Sequence, residues 1–309
     1  MRLHLKMQQF YSNGKLLITA EYVVLDGAVA LALPTKFGQY LTVLDSTDKV
    51  ILWKSFDHDK SCWFETEITF NSVENKSNAV SDQGIESTLL DILQVAHNLN
   101  PNVLLNSDGF EVTTQLTFPR NWGLGTSSTL INNIAQWFKI DAFELLKNSF
   151  GGSGYDIACA QNKMPVLYQL QRNKPIVKPI SFHPPFTNCI YFVYLNQKQS
   201  SKSAIKNYRK NNTDKHLTLS EIDLLTQIIC TTSSYAIFEK AIQNHENAMH
   251  LLLNQPTVKE QFFSDFEGTI KSLGAWGGDF VMVLSTKNPS NYFKLKGFDT
   301  ILNYSEMIL

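Results

Sequence analysis

The stretch RNWGLGTSST, residues 120–129, decides how this chain is interpreted. Gly123 and Gly125 flank a leucine, hydroxyl side chains fill positions 126–129, and an amphipathic helical pattern follows in 130–141 (LINNIAQWFKID). Glycines adopt positive φ and allow a ligand to approach the backbone, while the free N–H groups and the dipole at a helix N-terminus favour anions. The pattern therefore predicts a phosphate-binding loop. The simpler interpretation is a capped helix, which needs only one of the four hydroxyls.

This loop supplies the candidate cofactor-binding residues. Small hydroxyls at the start of a helix cap the helix, donate to phosphate oxygens or ligate Mg²⁺. The motif GxxxxGK[ST] of Walker-type NTPases occurs nowhere in the chain, and no GxGxxG follows a strand pattern as in dinucleotide-binding folds. The candidates are Trp122, which is placed to border an adenine, and Gly123, Leu124, Gly125, Thr126, Ser127 and Ser128.

Composition narrows the class of protein. The 309 residues are 43% hydrophobic and 18% charged, which is typical of a globular chain, and the net charge is −1. Neither a basic stripe nor a run of ~18 apolar residues is present, so no nucleic-acid or membrane partner is expected. The four cysteines lack CxxC spacing, which favours reduced thiols and a cytoplasmic protein.

Hydrophobic periodicity predicts a mixed α+β fold with strands first in each half. Residues 22–25 (YVVL) are predicted as a strand, 81–100 as a helical stretch that stops at Asn-Pro, and 258–273 as one further helix. Residues 219–254 are predicted as two helices with a break near 231–234. Prolines cluster in 172–186, which predicts a boundary between an N-terminal domain, 1–175, and a C-terminal domain, 176–309.

The glycine loop and three other stretches together resemble the GHMP kinase superfamily. Their order matches the superfamily's, and they span nearly the whole chain. The resemblance implies two α+β domains with ATP and a small-molecule acceptor in the cleft between them, a Mg²⁺ cofactor, and the 118–130 stretch as the phosphate loop. The stretches are GKLLITAEYVVLDGAVALALP (14–34) for the first motif, FPRNWGLGTSSTL (118–130) for the second, LGAWGGDFVMVL (273–284) for the third, and FGGSGYDIACA (150–160) for the GSGxDxAxA segment.

Residue roles follow from the same resemblance. Asp156 falls on the family's catalytic aspartate, Lys15 on the lysine of the first motif, and Ser127 on the serine that ligates Mg²⁺. A carboxylate can take the proton of an acceptor hydroxyl, and a lysine can stabilise the transferring phosphate. Taken singly, Asp156 is also explained as a helix N-cap and Lys15 as a solvated turn lysine.

The acceptor side is less clearly marked. Residues 195–205 (LNQKQSSKSAI) resemble a segment that lines the acceptor site of mevalonate-pathway members, although a polar surface loop explains them too. Trp276 stands where the family usually has glycine, so it either reshapes the acceptor pocket or simply packs. Ser128 and Thr129 replace alanines. The candidate substrate residues are Glu21, Ser201, Lys202, Gly277 and Gly278, and candidates for a second Mg²⁺ ligand are Glu65, Glu67 and Glu86.

The leading hypothesis is an ATP-dependent kinase that phosphorylates mevalonate or phosphomevalonate in isoprenoid precursor synthesis. A non-catalytic sensor or scaffold with the same fold is the main alternative. A diphosphomevalonate decarboxylase is disfavoured, because its usual first and second motifs differ from NGKLLITAEY and GLGTSS. The acceptor and the oligomeric state stay open, with a homodimer as one possible assembly.

Overall fold

The computed structural model describes residues 6–75, 84–197, 201–210, 215–274, 276 and 278–309. The strands are β1 Met7–Leu17, β2 Ala30–Asp45, β3 Val50–Phe56, β4 Cys62–Thr69, β5 Phe110–Leu116, β6 Val166–Gln171, β7 Lys174–Pro179, β8 Ile190–Tyr194, β9 Thr269–Ser272, β10 Phe280–Leu284 and β11 Ile301–Asn303. The helices are α1 Phe70–Glu74, α2 Ile85–Leu99, α3 Asn102–Leu105, α4 Thr126–Phe138, α5 Ala142–Ser149, α6 Tyr155–Gln161, α7 Ser201–Lys210, α8 His216–Thr231, α9 Tyr235–Leu253, α10 Val258–Phe262, α11 Ser290–Leu295 and α12 Tyr304–Met307. Short 3-10 turns cover Val23–Asp26, Arg120–Trp122 and Thr187–Cys189.

The mixed α+β chain divides into two compact units. The first contains residues up to Gly14 together with 37–120 and 125–161. The second contains 15–36, 121–124 and 162–309. The chain therefore passes between the units several times, twice inside the glycine loop, after Arg120 and after Leu124. The single boundary near residue 175 that the prolines suggest stays a prediction.

The first unit is built on strands in the order β4-β3-β5-β2. Strand β3 runs antiparallel to β4 and parallel to β5, and β5 runs antiparallel to β2. Leu41 and Val43 of β2 are fully buried, whereas Thr42 between them is half-buried, which is the period of two expected for a strand with one covered face.

Helices α2 and α4 share the hydrophobic core of this unit with the sheet. Leu93 of α2, Ile134 of α4 and Trp53 of β3 are all buried in it. The helix predicted within 81–100 is confirmed over Ile85–Leu99, and Asn100 is its C-cap because the following proline disfavours helical backbone in the residue before it.

The second unit contains an antiparallel sheet in the order β11-β8-β10-β9. All five residues of β10 are buried, as its apolar sequence requires of a central strand. Elsewhere in this unit, Ala30–Ala32 of β2 pair with β6, and β6 pairs with β7. Helices α8 and α9 pack against each other. The break predicted near 231–234 is confirmed, since Ser234 caps α9 by accepting the N–H of Ile237.

Two predicted elements are wrong. Residues 22–25 do not form a strand, because positive φ at Ala20 and Tyr22 (65° and 62°) turns the chain into the 3-10 turn Val23–Asp26. The helix predicted over 258–273 ends at Phe262. Phe263 is fully buried against other aromatic rings, and the residues after Gly268 form β9, whose four side chains are all buried beside β10. Tertiary burial outweighs helical spacing here.

Candidate active site

The glycine loop has the backbone that its sequence predicts. Gly123 and Gly125 have positive φ, at 66° and 94°. Gly125 is the residue that precedes α4, and no side chain caps this helix end. Helix α4 starts at Thr126, so the hydroxyls lie inside its first turn and not at the capping position. Capping therefore does not explain them, whereas the N–H groups of a first turn lack partners within the helix and suit an anion.

The loop side chains differ in exposure. Ser127 is exposed, Thr126 and Ser128 are partly exposed, and Leu124 is buried. Thr129 is also buried, with its hydroxyl 2.8 Å from Oε1 of Gln39. Thr129, which stands where the family usually has alanine, therefore has a polar partner on β2.

Asp156 lies in the same unit as Ser127. It is the second residue of α6, and the helix follows Gly154, whose φ is 93°. The residue before the helix is Gly154, so Asp156 is not the N-cap. Its side chain is partly exposed. A partly accessible carboxylate is able to accept a proton from a bound hydroxyl, and the catalytic role itself stays a prediction.

Lys15 belongs to the second unit, where it is hydrogen-bonded to the backbone of the glycine loop. It lies within β1, so it is not a turn residue. Its Nζ donates to the carbonyl oxygen of Gly123 at 3.1 Å, and its backbone N–H donates to the carbonyl of Leu124 at 3.0 Å. The first motif thus holds its lysine directly beside the backbone of the second.

The third motif also reaches this loop. A Cβ placed on Gly123 would lie 2.1 Å from Cγ of Asp279, so the carboxyl group of Asp279 fills the space that a larger residue at 123 would need. Asp279 is itself held by its backbone, which donates to the carbonyl of Gln197 at 2.9 Å and accepts from the N–H of Leu195 at 2.7 Å. Gly278 forms the bend before it.

The two tryptophans near these motifs have packing partners. Trp276 is 5% exposed, and its indole N–H donates to the carbonyl of Pro256 at 3.2 Å. Of the two alternatives for Trp276, the structure therefore shows packing. The ring of Trp122 meets Phe280 edge to face at 5.4 Å and approaches Tyr194 at 6.4 Å. Contact between Trp122 and an adenine stays a prediction.

Glu21, predicted to contact substrate, is fully buried in a charged cluster, and this placement corrects that expectation. Nζ of Lys271 donates to the carboxylate of Glu21 and to the carbonyl oxygen of Ser272. Oε1 of Glu246 accepts from the N–H of Ser272 at 3.0 Å and from its hydroxyl at 2.6 Å. Nε2 of His245 accepts the N–H of Ala20 at 2.9 Å. These four charged or titratable side chains, which we call the Lys271 cluster, are Glu21, His245, Glu246 and Lys271.

Burial sets the protonation of the Lys271 cluster. It raises the pKa of Glu21 to about 7, even though the Lys271 ammonium acts in the opposite direction. Burial likewise raises the pKa of Glu246. The pKa of His245 lies well below its usual range because of burial and, secondly, Lys271. The imidazole is therefore neutral, one ammonium faces two carboxyl groups, and the cluster retains an extra proton up to near-neutral pH. No local signal in the sequence marked Lys271 as buried, since its strand, TIKS, also contains threonine and serine.

Several predicted site residues are not placed in a binding site by the described part of the chain. Gly277 and positions 198–200 of the stretch 195–205 lie outside the described residues, and nothing is described for the side chains of Ser201 and Lys202. The candidate Mg²⁺ ligands Glu65, Glu67 and Glu86 are exposed, and Glu65 pairs with Lys54 at 2.8 Å. Within the described ranges, no group of three His, Cys, Asp or Glu side chains is arranged to hold a metal, and no helix is long and apolar enough to cross a membrane.

Comparison with known proteins supports the fold. No protein-family model matches the chain, and no curated protein matches its sequence. Among solved structures, the mevalonate kinase of Methanococcus jannaschii is similar at a TM-score of 0.67 and 16% identity, covering 96% of this chain and 98% of that one. The phosphomevalonate kinase of Streptococcus pneumoniae with phosphomevalonate and AMPPNP matches at 0.67 and 15%, covering 94% and 95%. The galactokinase of Lactococcus lactis with galactose matches at 0.64 and 12%, covering 96% and 93%.

These neighbours are members of the GHMP kinase superfamily. The chain therefore has the GHMP kinase fold, as its four motifs led us to expect. At 12–16% identity, the likeness extends to the fold and leaves the reaction to be argued from the residues.

Proposed function

We propose that the protein is an ATP-dependent small-molecule kinase that transfers the γ-phosphate to mevalonate or phosphomevalonate. The observation that carries the proposal is the glycine loop, where two positive-φ glycines lead into the uncapped start of α4 and the strand of Lys15 is hydrogen-bonded to the loop backbone. Such a loop suits phosphate oxygens, and its order with the other motifs is that of GHMP kinases.

The loop residues fit ATP and Mg²⁺. The N–H groups of the first turn of α4 and the hydroxyls of Thr126 and Ser128 would receive the phosphates, and Ser127, which is exposed, would be the Mg²⁺ ligand. The metal, when bound, neutralises charge on the phosphate oxygens. Because Mg²⁺ keeps several waters and is bound largely through substrate phosphates, Ser127 would share the metal with the nucleotide and water.

In the proposed reaction, the acceptor hydroxyl oxygen forms a bond to the γ-phosphorus while the bond between that phosphorus and the bridging oxygen of ADP breaks. Asp156 takes the hydroxyl proton and returns it to water after ADP leaves. Lys15 contributes positive charge beside the loop. With phosphomevalonate, the attacking oxygen belongs to an already ionised phosphate, so Asp156 would orient the acceptor and remove no proton.

The non-catalytic alternative loses part of its support. It rested on Trp276 in the third motif, and this side chain is buried with its indole bonded to Pro256. A decarboxylase stays disfavoured by the sequences of the first and second motifs. A cytoplasmic location, a homodimer and the absence of nucleic-acid and membrane partners stay predictions.

The test is a coupled assay of ADP release with Mg²⁺ and ATP against mevalonate, phosphomevalonate, homoserine and galactose. We expect acceptor-dependent turnover with one of the first two compounds. Calorimetry of ATP binding runs in parallel. ATP binding without turnover on any acceptor would support the sensor, and turnover on homoserine or galactose alone would overturn the choice of acceptor.

A further inference from the structure

Helix α4 carries two asparagines in its buried interior. Asn132 is 2% exposed and Asn133 is fully buried, in the middle of a helix whose neighbouring residues Ile131 and Ile134 belong to the hydrophobic core. Asparagine is a poor residue for a helix interior, and a buried amide destabilises the fold unless its polar atoms are bonded. The pair therefore calls for an explanation other than packing.

These amides form a directed chain of hydrogen bonds. Nε2 of Gln161 donates to Oδ1 of Asn132 at 3.1 Å, and Nδ2 of Asn132 donates to Oγ of Ser12 at 2.8 Å. Ser12 in turn donates to Oδ1 of Asn133 at 2.8 Å, and Nδ2 of Asn133 donates to the carbonyl oxygen of Gln39 at 2.9 Å. Asn132, Ser12 and Asn133 each accept one hydrogen bond and donate the next. The bonds of such a chain strengthen one another in a low-dielectric interior.

The chain links the elements that carry the proposed chemistry in the first unit. Gln161 is the last residue of α6, five residues after Asp156, which places the two about 7.5 Å apart along the helix. Asn132 is on α4, whose first turn holds Ser127. One bond, Gln161 to Asn132, therefore joins the helix of the proposed base to the helix of the proposed phosphate loop.

We propose that Asn132 and Gln161 are positioning residues, which fix α6 and hence Asp156 relative to the start of α4. Apolar contacts, such as those of Ile157 in the shared core, hold the helices together but are non-directional. The bond from the exposed Gln161 to the buried Asn132 selects one sliding and rotational position, because any other leaves the buried amide oxygen of Asn132 unpaired. The inference rests on the proposed function of Asp156 and Ser127.

The variants are chosen to cut this link with little change in shape. Gln161→Met and Asn132→Leu remove the bond from either side, and the double variant completes a cycle. Misplacement of about 1 Å at a catalytic group costs up to about a hundredfold in rate. We expect each single variant to lower kcat about 10-fold to 100-fold with the KM for ATP little changed, and the double variant to lower it no further.

Two controls separate positioning from stability. Asn133→Leu breaks the same chain on the side of Ser12 and Gln39, away from α6, so it should lower the melting temperature without the loss in kcat. Gln161→Lys keeps an N–H donor at the partly solvated end of α6 and should retain most of the parental kcat. An Asn133→Leu loss in kcat equal to that of Asn132→Leu would overturn the inference.

A readout independent of turnover keeps the two proposals apart. Hydrogen–deuterium exchange of the α6 amides should be faster in Gln161→Met and Asn132→Leu than in the parent, while exchange in α5 stays unchanged. If the parent turns over no acceptor, the proposed function fails and the exchange data still test the link between α4 and α6. Unchanged α6 exchange in both variants would overturn the link even in an active kinase.

Discussion

Lys271 and Glu21 form an ion pair whose two side chains are both fully shielded from solvent. The pair joins the first motif to the strand that leads into the third, since the same Nζ bonds the carbonyl of Ser272. Taking two charges out of water is costly, and the attraction between them offsets this only when both are present.

Removing the cation alone should therefore be severe. We expect Lys271→Met to lower the free energy of unfolding by about 3–5 kcal/mol, because it leaves buried carboxyl groups without a counter-charge. The double variant Lys271→Met with Glu21→Gln should recover a large part of that loss. Urea denaturation of the parent, the single and the double variant measures both effects, and a single variant as stable as the parent would contradict the buried ion pair.

The raised pKa of Glu21 gives stability a pH dependence of defined sign. Between its usual value of 4.5 and about 7, the folded protein binds a proton on this carboxyl that the unfolded chain does not, so this contribution to stability falls as pH rises through that window. His245 acts in the opposite direction, because the unfolded chain binds a proton on it below about pH 6.5 that the folded protein excludes.

A difference measurement isolates Glu21 from His245 and Glu246. We expect the free energy of unfolding of the parent, minus that of Glu21→Gln, to be larger at pH 5 than at pH 8. Urea titrations at both values check this. A difference that stays constant or grows with pH would contradict the raised pKa.

Gly123 should tolerate no side chain. An added Cβ would meet the carboxyl group of Asp279 at 2.1 Å and would also require positive φ, a strain of about 1–3 kcal/mol by itself. We expect Gly123→Ala to lower both the melting temperature and the affinity for ATP, and Gly123→Ala with Asp279→Ala to restore part of each. Gly297→Ala is the matched control, since its φ is +86° and nothing lies within 4 Å of the new Cβ.

Scanning calorimetry and titration with ATP measure the two effects. The control variant should show the strain alone, with parental ATP affinity. If Gly297→Ala and Gly123→Ala lose the same stability and both keep full affinity, the contact with Asp279 has no role in the loop.

Ser127 is predicted to ligate Mg²⁺. It is exposed in the first turn of α4, whereas Ser128 beside it is only partly so. We expect Ser127→Ala to need a higher Mg²⁺ concentration for half-maximal turnover, with the fold intact. Ser128→Ala should show the parental Mg²⁺ dependence. Identical Mg²⁺ titrations for all three proteins would remove Ser127 from the metal site.

Local rules predicted the loop well. Positive φ at Gly123 and Gly125 follows from glycine, and the helix after the hydroxyls follows from the apolar spacing of residues 130–138, although α4 begins earlier, at Thr126. The burial of Glu21 could not be predicted, because a motif match shows which residue type is present and not whether its carboxyl group is shielded from solvent. That depends on Lys271, which lies 250 residues away along the chain.

The misassigned elements have the same origin. Residues 269–272 carry helix-compatible spacing, yet pairing with β10 makes them a strand, and no local pattern encodes that partner. Trp276 was ambiguous because glycine-rich motifs do not specify whether a bulky residue faces a ligand or the core. Its bond to Pro256 joins residues that are 20 positions apart, and no local pattern encodes that contact.

Asp156→Asn tests the proposed base most directly. The substitution keeps the size of the side chain and removes its ability to take a proton, and general-base catalysis contributes typically about 10²–10⁴-fold in rate. We expect kcat on mevalonate to fall by that order, with ATP affinity changed only a few-fold. If phosphomevalonate is the true acceptor, its ionised phosphate needs no base, so the loss should be smaller and Lys15→Met should be the more damaging variant.

The control comes from a neighbouring helix. Asp141 is a true N-cap, whose carboxylate accepts the N–H of Phe143 at 2.7 Å at the start of α5. Asparagine caps about as well as aspartate, so Asp141→Asn should leave both turnover and melting temperature nearly unchanged. Asp156 lies one position inside its helix, where capping is not its role. Steady-state kinetics on both acceptors, with melting curves of both variants, separate the two functions of a carboxylate near a helix start. An Asp156→Asn protein with parental kcat on mevalonate would exclude Asp156 as the base, since only its ability to take the proton has been removed.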